Sequence, residues 1–284
     1  MTGNPDPAMF AGDEFLDSPI AFDNVRPILL LLLLLLRPAA VSQALAAAER
    51  RSWLTGLLCG RQGTVISLVH TEYPGNRFND TGPGAPHCTG PAYPTCWTVT
   101  IGLAISDDWG ATWRHARPPP HHLVAAVPYV YNQSQPAYGW GDPSNIVKHP
   151  EEPFYYAAIW NRNQVGLQAP GICMMRTADL TDPAAWRAWD GKGYTVRFAS
   201  PYTMPAGEAA EHICTVTNLP AGDTKSGCAP AGLVWSAYLK TFVVTLGCGS
   251  KFQVAFSDDL ITWSTPQDLD VHQDMPTNVT KMIR

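Results

Sequence analysis

The sequence predicts an all-β chain built from a repeated four-stranded unit, and three observations predict it. Charged residues make up only 15% of the 284 residues, while glycine (23) and proline (26) are plentiful and aromatics reach 10%. That composition suits a loop-rich β protein better than a helical one. From Thr64 onward the chain is a succession of short apolar or alternating runs separated by turn formers, the pattern of strands and hairpins. Finally, a tryptophan closes each round of about four strands: Trp113, Trp186 and Trp263 stand 73 and 77 residues apart.

The clearest round centres on Thr98–Ile105, an alternating strand, followed by Ser106-Asp107-Asp108-Trp109-Gly110-Ala111-Thr112-Trp113. Asp and Gly supply a tight turn, and the return strand drops Trp113 into the core. The hairpin recurs in looser form at Thr177–Trp186 and at Ser257-Asp258-Asp259-Leu260-Ile261-Thr262-Trp263. A periodic aromatic on a four-strand repeat predicts a β-propeller, whose blades bury their faces against one another around an axis. An open β-sandwich is the alternative, with the equal spacing an accident. Three blades occupy about 64–264 and 265–284 begin a fourth; propellers have typically four to eight. The expectation is therefore an incomplete ring with C-terminal truncation.

Before the strands, residues 1–27 are Pro/Asp-rich and aperiodic, a disordered leader. Ile28–Leu36 is an unbroken apolar run of nine, well short of the about 20 residues that span a bilayer. With Ala44-Leu45-Ala46 as a small-x-small site, it reads as signal-like, with a signal anchor as the alternative; no stable membrane span is expected. Residues 28–58 are read as this segment plus an Ala-rich helix, and 59–284 as a partial propeller domain.

Seven cysteines include Cys88/Cys96 and Cys214/Cys228, each pair flanking a short loop as local disulfides do. The odd count leaves one thiol without a partner in the chain. Sequons at Asn79, Asn132 and Asn278 suit a secreted glycoprotein. A net charge of −5 without a basic stripe excludes nucleic acid as the main partner. No dinucleotide, phosphate-loop or zinc-ligand spacing is present, so no cofactor and no metal are expected.

Ser106–Trp113 resembles, position for position, the Asp-box of sialidases and other β-propellers. The resemblance gives Ser106, Asp108, Gly110, Thr112 and Trp113, with Ser257, Asp259 and Trp263, a structural role on outer hairpins. Gly141-Asp142-Pro143-Ser144-Asn145 resembles the Asp-Pro approach to the second blade of five-bladed propeller glycosidases such as arabinanases and β-xylosidases. There the matching aspartate tunes the general acid. That implies a carbohydrate partner and hydrolysis of glycosidic bonds by carboxylates about 5–10 Å apart. The candidates are Asp142, Glu72 at the exit of the first inner strand, and Glu211 on the approach to blade three. Blade three carries Ala229-Pro230-Ala231-Gly232 where that family has Glu-Gly-Pro, so a non-catalytic glycan- or protein-binding propeller is the other reading. Tyr138, Trp140, Asn145, Trp160 and Arg162 are candidate sugar contacts, since sugars stack on rings while Asn and Arg read hydroxyls. The sialidase arginine clamp has no counterpart.

Overall fold

The computed structural model describes residues 52–59, 63–74, 97–118, 121–132, 135–205, 207–220 and 228–269. The leader, the Ile28–Leu36 run, Cys88/Cys96 and the sequons at Asn79 and Asn278 lie outside them. The described chain is nearly all β, with only short 3₁₀ turns at Pro183–Ala185 and Glu208–His212.

Three antiparallel meanders follow one another. The first is β1 (Ser52–Cys59), β2 (Val65–Pro74), β3 (Trp97–Ser106) and a broken fourth strand, β4 (Arg114–His115) with β5 (Leu123–Ala125), both paired to β3. The second opens on another broken strand, β6 (Tyr138–Gly141) and β7 (Val147–Lys148), both paired to β8 (Tyr155–Asn161). It continues through β9 (Gly171–Thr177), β10 (Arg187–Trp189) and β11 (Tyr194–Val196). The third is β12 (Cys228–Ser236), β13 (Thr241–Cys248), β14 (Lys251–Ser257) and β15 (Gln267–Leu269). In each, the turn ending in Trp113, Trp186 or Trp263 joins the third strand to the fourth.

Burial follows the two-residue period of a strand. On β8 and β9, Ala157, Ile159, Cys173 and Met175 pack with Leu68, Ile101, Leu103, Trp140 and Trp186 in one core. Their neighbours Tyr156, Ala158, Ile172 and Met174 pack with Leu233, Phe242, Val244, Leu246 and Trp263 in another. The second sheet is thus covered on both faces, by the first sheet and by the third. That face-to-face stacking of meanders is the β-propeller arrangement. The third sheet differs: β13 alternates between buried and half-buried residues, and its opposite face exposes Val234, Phe252 and Leu269.

The Ser106–Trp113 turn is held by its own side chains. Ser106 Oγ accepts from Gly110 N–H (2.8 Å), and Asp108 accepts from Thr112 N–H (2.8 Å) and Thr112 Oγ1–H (2.7 Å). Trp109 and Gly110 take φ of 63° and 86° to close it, and Trp113 is buried. Ser257 and Asp259 repeat the device, with Asp259 Oδ1 accepting from Ile261 and Thr262 N–H. Asp179 accepts likewise from Thr181 in the middle turn.

Three expectations are corrected. Ser52–Cys59 is not the end of an Ala-rich helix but the first strand of the first sheet, paired from Ser52↔Thr71 to Cys59↔Val65. The pairing supplies what local composition does not, since β preference is set by neighbouring strands. Val65–Pro74 is accordingly the second strand, so Glu72 does not sit on a first, inner one. Among the described residues the disulfides are Cys173–Cys214 and Cys228–Cys248, so the short Cys214/Cys228 clip does not form. Cys228 and Cys248 are register partners on β12 and β13, while Cys173 faces the first core from β9 and meets Cys214 on the loop that follows the Glu208–His212 turn.

Candidate active site

The loop from Asp142 to Ile146 interrupts the first strand of the second sheet, and it touches all three sheets. Ser144 fastens it to β8: its N–H donates to Ala158 O (2.8 Å) and its Oγ accepts from Ala158 N–H (2.9 Å). Asn145 fastens it to β12, donating Nδ2–H to Leu233 O (2.7 Å) and accepting Leu233 N–H at Oδ1 (2.8 Å). Asp142 fastens it to β2, its N–H donating to His70 Nδ1 (2.9 Å).

Asp142 adopts φ 42°, a left-handed conformation that aspartate tolerates better than most residues. It precedes Pro143, and a residue before proline is pushed toward extended backbone. Such strain persists only where the surroundings impose it, and here the three anchors do. The Asp142 side chain keeps 33% of its surface exposed. Gly141 makes the approach of β2 feasible: a Cβ there would lie 2.8 Å from His70 Cε1. Gly139, at φ 112°, lies so close to β3 that a Cβ would meet Val99 O at 2.2 Å.

His70 and Glu72 are two residues apart on β2 and therefore share a face. Both side chains are 6% exposed, and His70 Nε2 lies 3.3 Å from Glu72 Oε1. On the other ring edge, Nδ1 lies 3.5 Å from Asp142 Oδ1. The imidazole thus stands between two carboxylates. Burial disfavours its charged form, but hydrogen bonding and charge from Asp142 and Glu72 outweigh that and lift His70 to about 9. The Asp142 N–H works against this at one atom, because it needs a bare Nδ1. Protonation of Nδ1 therefore exchanges the Asp142 N–H for the Asp142 carboxylate.

Of the three candidate carboxylates, Asp142 and Glu72 are brought together, one imidazole apart. Glu72 is buried beneath His70, with Oε2 lacking a hydrogen-bond partner among the described residues, so no substrate bond can lie against it. Glu211 is exposed on the 3₁₀ turn Glu208–His212, with no hydrogen bond or ion pair to Asp142, His70 or Glu72 among the described residues. Trp140 is 0% exposed and packs against Phe198, and Tyr138 is 2% exposed with its hydroxyl bonded to Asn132 N–H and Val130 O. Neither offers a face to a sugar. Asn145 spends its amide on Leu233. Trp160 and Arg162 remain half-buried, the guanidinium 5.8 Å from the ring centroid. Sequence reasoning missed His70. The spacing His70-x-Glu72 on a strand was a usable signal; the third partner, 72 residues away, was not.

No family model matches the sequence, and no curated protein matches it. Solved structures do. One is a GH130-family protein of the mannoside phosphorylases, described as targeting β-1,2-mannosidic linkages in Candida mannan: 17% identity, TM-score 0.40, covering 79% of this chain and 50% of that one. A Penicillium chrysogenum α-L-arabinanase complexed with arabinobiose follows, at 12% identity, TM-score 0.38, and coverage of 76% and 45%. An α-L-arabinofuranosidase from Fusarium graminearum gives 13%, 0.36, and 77% and 46%. All three act on carbohydrates by their descriptions. The chain spans about half the length of each. The scores are low, and the blade architecture stands on the strand order and the two inter-sheet cores.

Proposed function

We propose that this chain is a carbohydrate-active β-propeller of the glycoside hydrolase type, with Asp142 as its accessible acid. The observation that carries the reading is the Asp142–His70–Glu72 row at the junction of three sheets. A one-third exposed carboxylate, strained into place and backed by a buried imidazole between two acids, is a costly arrangement that packing alone does not require. With His70 lifted to about 9, an imidazolium stands 3.5 Å from Asp142 Oδ1. Asp142 then serves as a carboxylate, stabilising positive charge on the sugar ring or accepting a proton, rather than as the donor. Glu72 holds His70 and does not flank the scissile bond. Hydrolysis needs a second accessible carboxylic acid, and Glu211 is the remaining candidate of the three.

Secretion accompanies this reading. Two disulfides fit an oxidising compartment, as do the signal-like Ile28–Leu36 run and the sequons. The side-chain bonding of the Ser106–Trp113 and Ser257–Trp263 turns supports their reading as Asp-boxes, with Asp108 and Asp259 committed to the turn.

One observation favours a second reading, glycan binding without turnover: Asp142 is the only exposed carboxylate of its row. Hydrolysis of arabinan, β-1,2-mannan fragments and 4-nitrophenyl glycosides by the purified chain decides between them. Turnover that Asp142→Asn abolishes supports the hydrolase. Glycan binding without turnover supports the alternative. Turnover indifferent to Asp142→Asn removes Asp142 from the chemistry.

A further inference from the structure

A cleft among the described residues lies away from Asp142. It measures about 620 Å³ and runs between the outer strand of the first sheet and the outer part of the second, within the range of small-molecule sites. None of Asp142, His70 and Glu72 lines it. Its lining includes Arg117, His121, Asp182, Arg197, Phe198 and Glu208.

Two of the ionisable groups here, Arg197 and Glu208, are not neutralised by a neighbour among the described residues. Arg117 stands 3.8 Å from Asp182 in an exposed, loose pair, while Asp182 also accepts Ala184 N–H as a cap. Arg197 and Glu208 line the same space, yet neither guanidinium nor carboxylate forms a hydrogen bond or ion pair among the described residues. His212, also in the lining, places its Nδ1 against Arg197 O and leaves the Arg197 side chain unengaged. An unpaired guanidinium is a fork for a carboxylate. An unpaired carboxylate nearby takes hydroxyl donors. A ligand satisfying both carries an anion and hydroxyls on one small frame, with an apolar face for Phe198.

We propose that this cleft is a second ligand site, and that it takes a sugar acid, a short oligosaccharide bearing uronate carboxylates. The choice of a sugar rests on the carbohydrate reading above; the need for an anion rests on Arg197. The site binds and does not cleave, since Asp182, the second carboxylate of its lining, is taken up by Ala184 N–H and Arg117.

Calorimetric titration of the full chain with trigalacturonate, neutral arabinotriose and inorganic phosphate tests this. Trigalacturonate is expected to bind more tightly than the other two. Arg197→Gln is expected to weaken it about tenfold or more, as loss of a charge-assisted hydrogen bond does. Arg197→Lys, which keeps the charge without the fork, is expected to recover part of that loss. The melting temperature should not move, because Arg197 is exposed. Equal binding of arabinotriose, tighter binding of phosphate, or trigalacturonate affinity indifferent to Arg197→Gln would each overturn the site. A chain that hydrolyses no glycan but binds trigalacturonate through Arg197 would sink the hydrolase reading and leave this one standing.

Discussion

Asn145 grips Leu233 by both ends of its amide, donating to the carbonyl at 2.7 Å and accepting from the N–H at 2.8 Å. Leu233 is 2% exposed, so water cannot replace either bond. Asn145→Ala is expected to cost about 2–4 kcal/mol, the price of leaving two buried backbone groups unsatisfied. Urea denaturation with an unchanged m-value checks it. An unaltered midpoint with weakened glycan binding would instead return Asn145 to the role of sugar contact. Asn218 and Trp263 repeat the grip, at 2.8 and 2.9 Å.

The ionisation of His70 should appear in the pH dependence of any turnover. Its folded pKa is raised to about 9, so the stabilisation it provides is complete below about 6.5 and is lost as pH rises through 9. An alkaline limb of activity near 9 is expected. Glu72→Gln removes one of the two flanking charges, and the limb should move to lower pH while hydrolysis at pH 6 persists. A limb that stays in place would separate His70 from the chemistry.

His122 works in the opposite direction. It is 2% exposed and pushed down to about 3, by burial first and then by the neighbouring charges of His115 and His121. A base with a depressed folded pKa binds fewer protons than in the unfolded chain, so stability falls as pH drops below about 6.5. The slope is at most about 1.4 kcal/mol per pH unit. His122→Leu should flatten the acid limb of stability between pH 6.5 and 4, measured by urea midpoints at several pH values. His115 packs edge-on against His122, centroids 4.7 Å apart, and is the group to substitute next if it does not.

Asp108 separates architecture from chemistry. Its carboxylate holds Thr112 N–H and Oγ1–H, and hydrogen bonds from the turn keep its pKa low against a burial effect that would raise it. Asp108→Ala is expected to lower stability by about 1–2 kcal/mol without changing any turnover of the folded protein. A selective loss of turnover would return the turn to the list of catalytic features.

Much of the fold was legible because its signals are local. A Ser or Thr, an Asp two residues on and a following tryptophan mark the same turn three times, and Trp113, Trp186 and Trp263 are all buried. What escaped was set by distant partners. Ser52–Cys59 carries Leu and Gly where helix and strand compete, and only β2 decides. Cys173 finds Cys214 because two strands and a loop converge, not because their spacing is short. Tyr138 and Trp140 have the composition of a sugar platform, yet strand pairing turns both inward. The site was half visible: Asp142 announced itself by its place before Pro143, but the burial of Glu72 and the intervening His70 depend on how β2 packs against β6.

The first and second sheets share a ladder, since β3 and β6 pair in parallel at Thr98↔Tyr138 and Val99↔Gly139. No ladder joins the third sheet to either among the described residues; apolar packing and the two asparagine grips hold it. Backbone amides of the first two sheets should therefore exchange with solvent as one cooperative unit, and those of β12–β15 as another that opens at lower free energy. Asp142 lies on the seam between the two units, so each opening of the third sheet transiently unmoors the loop on which it stands.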